Sequence, residues 1–499
     1  MRKIVLFVGL SVVVGFAMVA AVAGGRASSS AAALPLPRPA VSDWVQLTSS
    51  ETPPTQQQCN SVGRRCFTPQ STRAAYNLNP LYGAGLNGRG VTIAIVDSYG
   101  SDTMAHDLHV YDTQMGLPPM CGEESVTCTP DMPTFSQLAI QGSPATKAPP
   151  STSQGNGLED KAAWALEVAL DVETAHSIAP GANILLVTTP TAETLGRQGF
   201  GQMMNAEDYV VKNHLAQVIS QSFGSAELAF GSASSLLNLR GAFIDAAQNG
   251  VTVLASSGDD GSAGFLKQDL LIHSPKDSLI PVPTVGWPAS DPLVTGVGGT
   301  YLCTDATATT GTTVDNTSPP ANCQNQTNRE IGWIDAGGGF SSVFAKPSYQ
   351  NTLPAGSTTI GAQRGVPDVG FQASSRTGAL VYLTLPPDGL GGLSCGGSPC
   401  STGWYDIGGT SLSCPQWAGI VAIADQLNGG GLGLINPALY KIANGTHYAA
   451  DFYDVTTGNN GASAPTIPGY PATIGWDPVT GLGTPNAANL VPDLVAASH

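Results

Sequence analysis

Short apolar runs alternate with longer helical ones along most of this chain, and that alternation limits what it can fold into. Val91–Val96 (VTIAIV), Ala182–Thr188 (ANILLVT), Gln217–Ser222 (QVISQS), Val251–Ser256 (VTVLAS) and Leu293–Val297 (LVTGV) are brief, continuous and rich in β-branched residues. Strands covered on both faces read this way, since neither side has to meet water. Helical runs lie between them at 157–178, 201–214 and 236–249. The pattern predicts an α/β fold with a mostly parallel central sheet and helices on both faces.

Composition narrows the function. The 499 residues are 42% hydrophobic, enough to bury a large core. Only 11% are charged, against roughly 25% in an ordinary soluble domain. The 36 acidic residues outnumber 20 basic ones, giving a formal charge of −16. Nucleic acid is therefore excluded as a partner, because phosphate binding needs clustered Lys and Arg. Sparse charge also suits an acidic medium, where fewer protonating carboxylates means less build-up of positive charge.

The N-terminus reads as an export signal. Arg2 and Lys3 precede an apolar stretch, Ile4 to Ala23, that ends in small residues. Cleavage after Ala23 fits the small-x-small rule, with an uncleaved anchor as the competing reading. Residues 24–73, rich in Ser, Ala, Pro and Gln at their start, read as a linker or short pro-segment, and 74–499 as the functional domain. Eight of nine cysteines fall in close pairs: Cys59/Cys66, Cys121/Cys128, Cys303/Cys323 and Cys395/Cys400. In an exported chain this predicts four local disulfides, leaving Cys414 as a buried free thiol.

One turn concentrates chemistry. Gly408-Gly409-Thr410-Ser411 runs into an Ala-rich helix, with Pro415 expected in its first turn. Ser411 then sits at a helix N-terminus, where the dipole favours a developing oxyanion; a plain N-cap is the bland alternative. A nucleophilic serine needs a base. None of the seven histidines lies in the turn that a His-based triad of the subtilisin type would need. Glu167 and Asp171, four apart on one helical run, share a face among Ala, Leu, Val and Trp164. Two poorly solvated acids so close share a proton, and such a pair can work in acid where imidazole is already charged. A third acid, Asp259, follows a strand in Ser-Ser-Gly-Asp-Asp-Gly. If protonated, it could donate to a tetrahedral oxyanion.

Glu167-x-x-x-Asp171, Ser-Gly-Asp259-x-Gly and Gly-Thr-Ser411-x-x-x-Pro415, in that order, resemble the sedolisin family of serine-carboxyl peptidases. Further stretches do too, among them "WPASDPLVTGVGGT" and "DFYDVTTGNNG". The resemblance implies a subtilisin-like fold in which Glu167 replaces the histidine base. Asp171 would orient Glu167, and Asp259 would supply the oxyanion donor. It implies endopeptidase action on proteins in acid, outside the cell. It also implies one structural calcium ion, held by the carboxylates of Asp454 and Asp477 and the carbonyls of Val455, Thr473 and Gly475. Oxygen-only ligation of this kind is what a hard cation prefers. Thr473 stands where the family usually has Gly, and Phe223 where some relatives have Trp. The pro-segment is shorter than family precursors carry. The chain is expected to act as a monomer on protein or peptide substrates, free of the membrane after signal removal. "SQSFG" and "GGGFS" are candidate edges for a substrate strand.

Two other readings stay open at this stage. One is a secreted, non-catalytic binding protein on a peptidase scaffold. The other is a neutral subtilisin-type protease using Asp97, a histidine and Ser411.

Overall fold

Eight strands pair into one sheet in the computed structural model, which describes residues 38–39, 43–140, 158–190, 197–266, 279–385, 394–395, 398–461 and 466–499. In chain order they are β1 (Thr92–Ser98), β2 (Phe135–Ala139), β3 (Asn183–Thr189), β4 (Val218–Gln221), β5 (Thr252–Ser256), β6 (Thr295–Leu302), β7 (Glu330–Gly332) and β8 (Val369–Gln372). Their spatial order is β7-β6-β5-β4-β1-β3-β2, with β8 also pairing β6. Every pairing is parallel except β6 with β7.

The alternation of side chains along each strand divides the core in two. Ile93 and Ile95 of β1, Val218 of β4 and Leu254 of β5 face one apolar cluster. Their neighbours Ala94, Val96, Ile219, Val253 and Ala255 face another. Helices α1 (Leu158–Ile178) and α4 (Thr410–Asn428) cover the first face, and α2 (Arg197–Lys212) and α3 (Gly241–Gln248) the second. The expected doubly covered sheet is what forms. At the C-terminal end a one-turn helix, α5 (Tyr448–Asp451), packs beside the last helix, α6 (Ala487–Ala497).

Three local expectations are corrected. The run 236–249 is two helices, Ala233–Leu237 and α3, because the chain turns at Asn238–Arg240. There Arg240 Nη2 reaches Asp291 Oδ1 at 2.8 Å, a partner far away in sequence. Pro415 lies inside α4, past its first turn. With no N–H, it cannot bond the Ser411 carbonyl one turn back. Lastly, packed structure lies well ahead of the expected boundary at 74, with Arg38–Pro39 already paired to Phe223–Gly224. Trp44–Thr48 pairs antiparallel with Gly403–Ile407. Residues 43–73 therefore belong to the folded body, because their hydrogen-bond partners lie hundreds of residues on.

Disulfides join Cys59 to Cys66, Cys121 to Cys128 and Cys303 to Cys323. Cys400 is also disulfide-bonded, within the fourth expected pair. Cys414 is a buried free thiol, as expected. The expected signal at 1–23 lies outside the described residues. Among those described, no helix is long and apolar enough to cross a membrane.

Candidate active site

The site is built where parallel strands end. β1 finishes at Asp97-Ser98, β4 runs into Ser222, and β5 runs into Ser257-Gly258-Asp259. Carboxyl ends of strands are where open α/β sheets place ligands. Helix α1 lies across them and carries Glu167 and Asp171 one turn apart. Helix α4 begins opposite, with Ser411 as its second residue.

The Gly-Gly-Thr-Ser turn shows why its glycines are needed. Gly409, the N-cap of α4, has φ +131, a conformation open essentially to glycine. A Cβ at Gly408 would meet the Ser375 backbone nitrogen at 2.1 Å. Ser411 is not the N-cap, so the bland role does not apply to it. Gly419, two turns further on, lets α4 close onto α1: a Cβ there would meet the Ile178 Cβ at 2.7 Å. This close approach sets the distance between the serine and the two acids.

Glu167, Asp171, Asp97 and Ser411 all have zero solvent exposure, and Asp259 is 8% exposed. The Glu167 carboxyl is held well above its usual range, first by burial and then by the charges of Asp171 and Asp97. Asp259 adds to the effect, while the neighbouring Ser411 hydroxyl favours the ionised form. No hydrogen bond to Ser411 Oγ or to either Glu167 oxygen is closed among the described residues. The serine and its base stand beside each other without a formed bond, as is common before substrate arrives. Asp171 is likewise pushed up by burial and by Asp97, against a 3.0 Å hydrogen bond donated by Ser222 Oγ. Asp259 Oδ1 accepts from Thr410 N at 2.8 Å and from Thr410 Oγ1 at 2.9 Å. That hydroxyl accepts in turn from Gly258 N at 3.0 Å. Asp259 is thereby fixed beside the first turn of α4.

Two participants escaped the sequence reading. Asp97, named in the sequence only within the histidine-based alternative, raises both acids of α1 through its charge. Ser222 orients Asp171. Their signal was position alone, since both sit at carboxyl ends of adjacent parallel strands. Five of the six described histidines pair elsewhere: His106 with Glu124, His109 with Glu123, His176 with Asp112, His447 with Asp493 and His499 with Asn428. None of them approaches Ser411 or Asp97 in a hydrogen bond, so the histidine route finds no support among the described residues.

Residues 88–439 match the model of the subtilase family, Peptidase_S8. This chain belongs to that family, in its sedolisin branch. It is 32% identical over 444 residues to kumamolisin from Bacillus sp. (strain MN-32), covering 88% of this chain and 65% of that one. Sedolisin from Pseudomonas sp. (strain 101) is 33% identical over 296 residues, 59% of this chain and 43% of that. Among solved structures, Pseudomonas sedolisin complexed with two molecules of pseudo-iodotyrostatin superposes with a TM-score of 0.61. The identity is 25%, across 87% of this chain and all of that one. The chain spans less than two thirds of the length of these two sequence relatives.

A second cluster fits the sedolisin reading at the C-terminal end. Both oxygens of Asp454 accept from Gly475 N, at 3.1 and 3.0 Å. Asp477 accepts from Thr473 N at 3.0 Å and from Val479 N at 2.8 Å. Burial pushes the Asp477 carboxyl up to about 7. The carbonyls of Val455, Thr473 and Gly475 accept no hydrogen bond from another described residue. One buried and one half-buried acid with unused carbonyls around them form a donor set suited to a hard cation. Thr473 keeps an ordinary negative φ, so its substitution for glycine strains nothing.

Proposed function

We propose that this protein is a secreted serine-carboxyl endopeptidase that hydrolyses peptide bonds of proteins in acid. The observation that carries the proposal is the buried trio Glu167, Asp171 and Asp97 beside Ser411. Three mutually repelling, desolvated carboxyls retain protons far up the pH scale, so the set holds fewer charges than groups. Its remaining negative charge is the base. Ser411 Oγ attacks the substrate carbonyl and passes its proton to Glu167, whose charge is spread towards Asp171. Ser222 holds Asp171 in place. Asp259, protonated, donates to the oxyanion that forms. Glu167 then returns its proton to the departing amine, and water repeats the sequence to free the serine.

An extended substrate has an edge to pair with. Phe223–Ala226 leaves the site beside Ser222, and the chain's own Arg38–Pro39 already pairs antiparallel along it. Edge pairing of this kind reads backbone and leaves side chains to pockets. Calcium, when bound at Asp454, Asp477 and the three carbonyls, would clamp the C-terminal loops together.

Wild type, Ser411→Ala and Glu167→Gln are compared on denatured protein across about pH 3–7, the carboxyl range. The expected result is acid-side turnover, abolished by Ser411→Ala and lowered by at least about a thousandfold in Glu167→Gln. Near-normal turnover by Glu167→Gln would overturn the carboxylate mechanism. No turnover by wild type anywhere in the range would favour a binding protein on this scaffold.

A further inference from the structure

A separate polar cluster lies at the junction of α5 and α6. His447, Asp451 and Asp493 each offer one ligand atom, all within 4.8 Å of one another. His447, the N-cap of α5, is four residues before Asp451 at its end, and Asp493 comes from α6. His447 Nδ1 lies 2.8 Å from Asp493 Oδ2. Asp451 is 1% exposed, and its Oδ2 is buried with no hydrogen-bond donor in reach among the described residues. No lysine or arginine among those residues pairs with either carboxylate. Burial and the facing charge of Asp493 push the Asp451 carboxyl up to about 6. The arrangement is thus two facing acids, one of them paired to an imidazole and the other buried.

We propose that His447, Asp451 and Asp493 form a site for a divalent first-row metal of zinc-like softness, distinct from the candidate calcium loop. Imidazole nitrogen and carboxylate oxygen are both zinc ligands, and three of them leave a fourth position for water. The imidazole disfavours calcium and magnesium, which take oxygen. Tetrahedral bonds of about 2 Å put ligand atoms about 3.3 Å apart, so the cluster, now within 4.8 Å, has to tighten. The two movable members can do this, since the His447 and Asp493 side chains are 68% and 36% exposed. Their backbones are already fixed to each other. Asn486 N donates to the Asp451 carbonyl at 2.7 Å, and the Asn486 and Asn489 side chains both donate to the Ala450 carbonyl. A bound ion would satisfy the orphaned Asp451 oxygen and pin α6 to the segment that leads into Asp454.

The test is zinc binding by the intact protein at about pH 8, where free imidazole is neutral, with calcium present in excess. One zinc per chain is expected by calorimetry and metal analysis, and cobalt substitution should give visible d–d absorption. His447→Ala and Asp493→Asn, both at exposed side chains, should each weaken binding by at least about tenfold. Asp454→Asn should leave it unchanged. Substoichiometric binding would overturn the proposal. So would unchanged affinity in His447→Ala, which would send the zinc to another histidine pair, or displacement of zinc by calcium.

Discussion

Asp97 occupies costly surroundings beside the acids of the serine site. Both its oxygens are buried without a hydrogen-bond partner among the described residues, and burial pushes it up to about 8. Near pH 4 it is therefore neutral in the folded protein. Asn in its place is close in shape and charge to that form. Asp97→Asn should keep kcat/KM near pH 4 within about threefold of wild type, whereas a catalytic base would lose far more. At higher pH the two proteins should part. The folded-state value lies above the unfolded one, so stability from this group is full below about pH 4 and is lost as pH climbs towards 8. Asn cannot ionise, and thermal melts near pH 8 should show the variant more stable than wild type. A larger fall in kcat/KM at pH 4 would make Asp97 part of the proton relay. Ser411, Glu167, Asp171 and Asp259 were legible from turn chemistry, helical spacing and resemblance. Asp97 and Ser222 were not, because each acts through neighbours brought in from other elements.

The contact between α1 and α4 decides whether serine and acids can meet. Gly419 sits at a close approach of the two helices: a Cβ there would meet the Ile178 side chain and, at 3.3 Å, the Ala175 carbonyl. Gly419→Val should destabilise by about 1–3 kcal/mol through overpacking. It should also lower kcat by about a hundredfold through misplacement of Ser411, since small displacements of reacting groups are that costly. Urea midpoints and kcat measured together check both, and a normal kcat in a destabilised variant would separate the helix contact from catalysis. Continuous apolar runs gave the elements of this layer away early. The strand at Trp44–Thr48 stayed hidden because its partner, Gly403–Ile407, is some 360 positions away. The break at Asn238–Arg240 stayed hidden because Asp291 secures it. Local sequence carries no trace of either.

The whole molecule repeats the pattern of its site. Burial also raises Asp425 to about 8, and Glu207, Glu173 and Asp406 well above their usual range. Each binds a proton in the folded state that the unfolded chain has released, so stability falls as pH rises from about 4 to 8. In a chelating buffer, which removes the pH dependence of any bound ion, Tm near pH 4 should exceed Tm near pH 8 by on the order of 5 °C or more. A flat or inverted profile would mean these acids find compensating partners. The low charge content hinted at acid tolerance, but which carboxyls are buried was settled only by the packing.

Asp43 has a consequence for how this polypeptide can be trimmed. It receives Arg64 Nη2 on both oxygens at 2.9 Å, and also the Ser375 hydroxyl. A cut anywhere between it and residue 73 would strip an outer ribbon from the sheet around Gly403–Ile407 and unseat the Cys59–Cys66 loop. Proteolytic trimming that leaves this body whole has to spare residues 43–73.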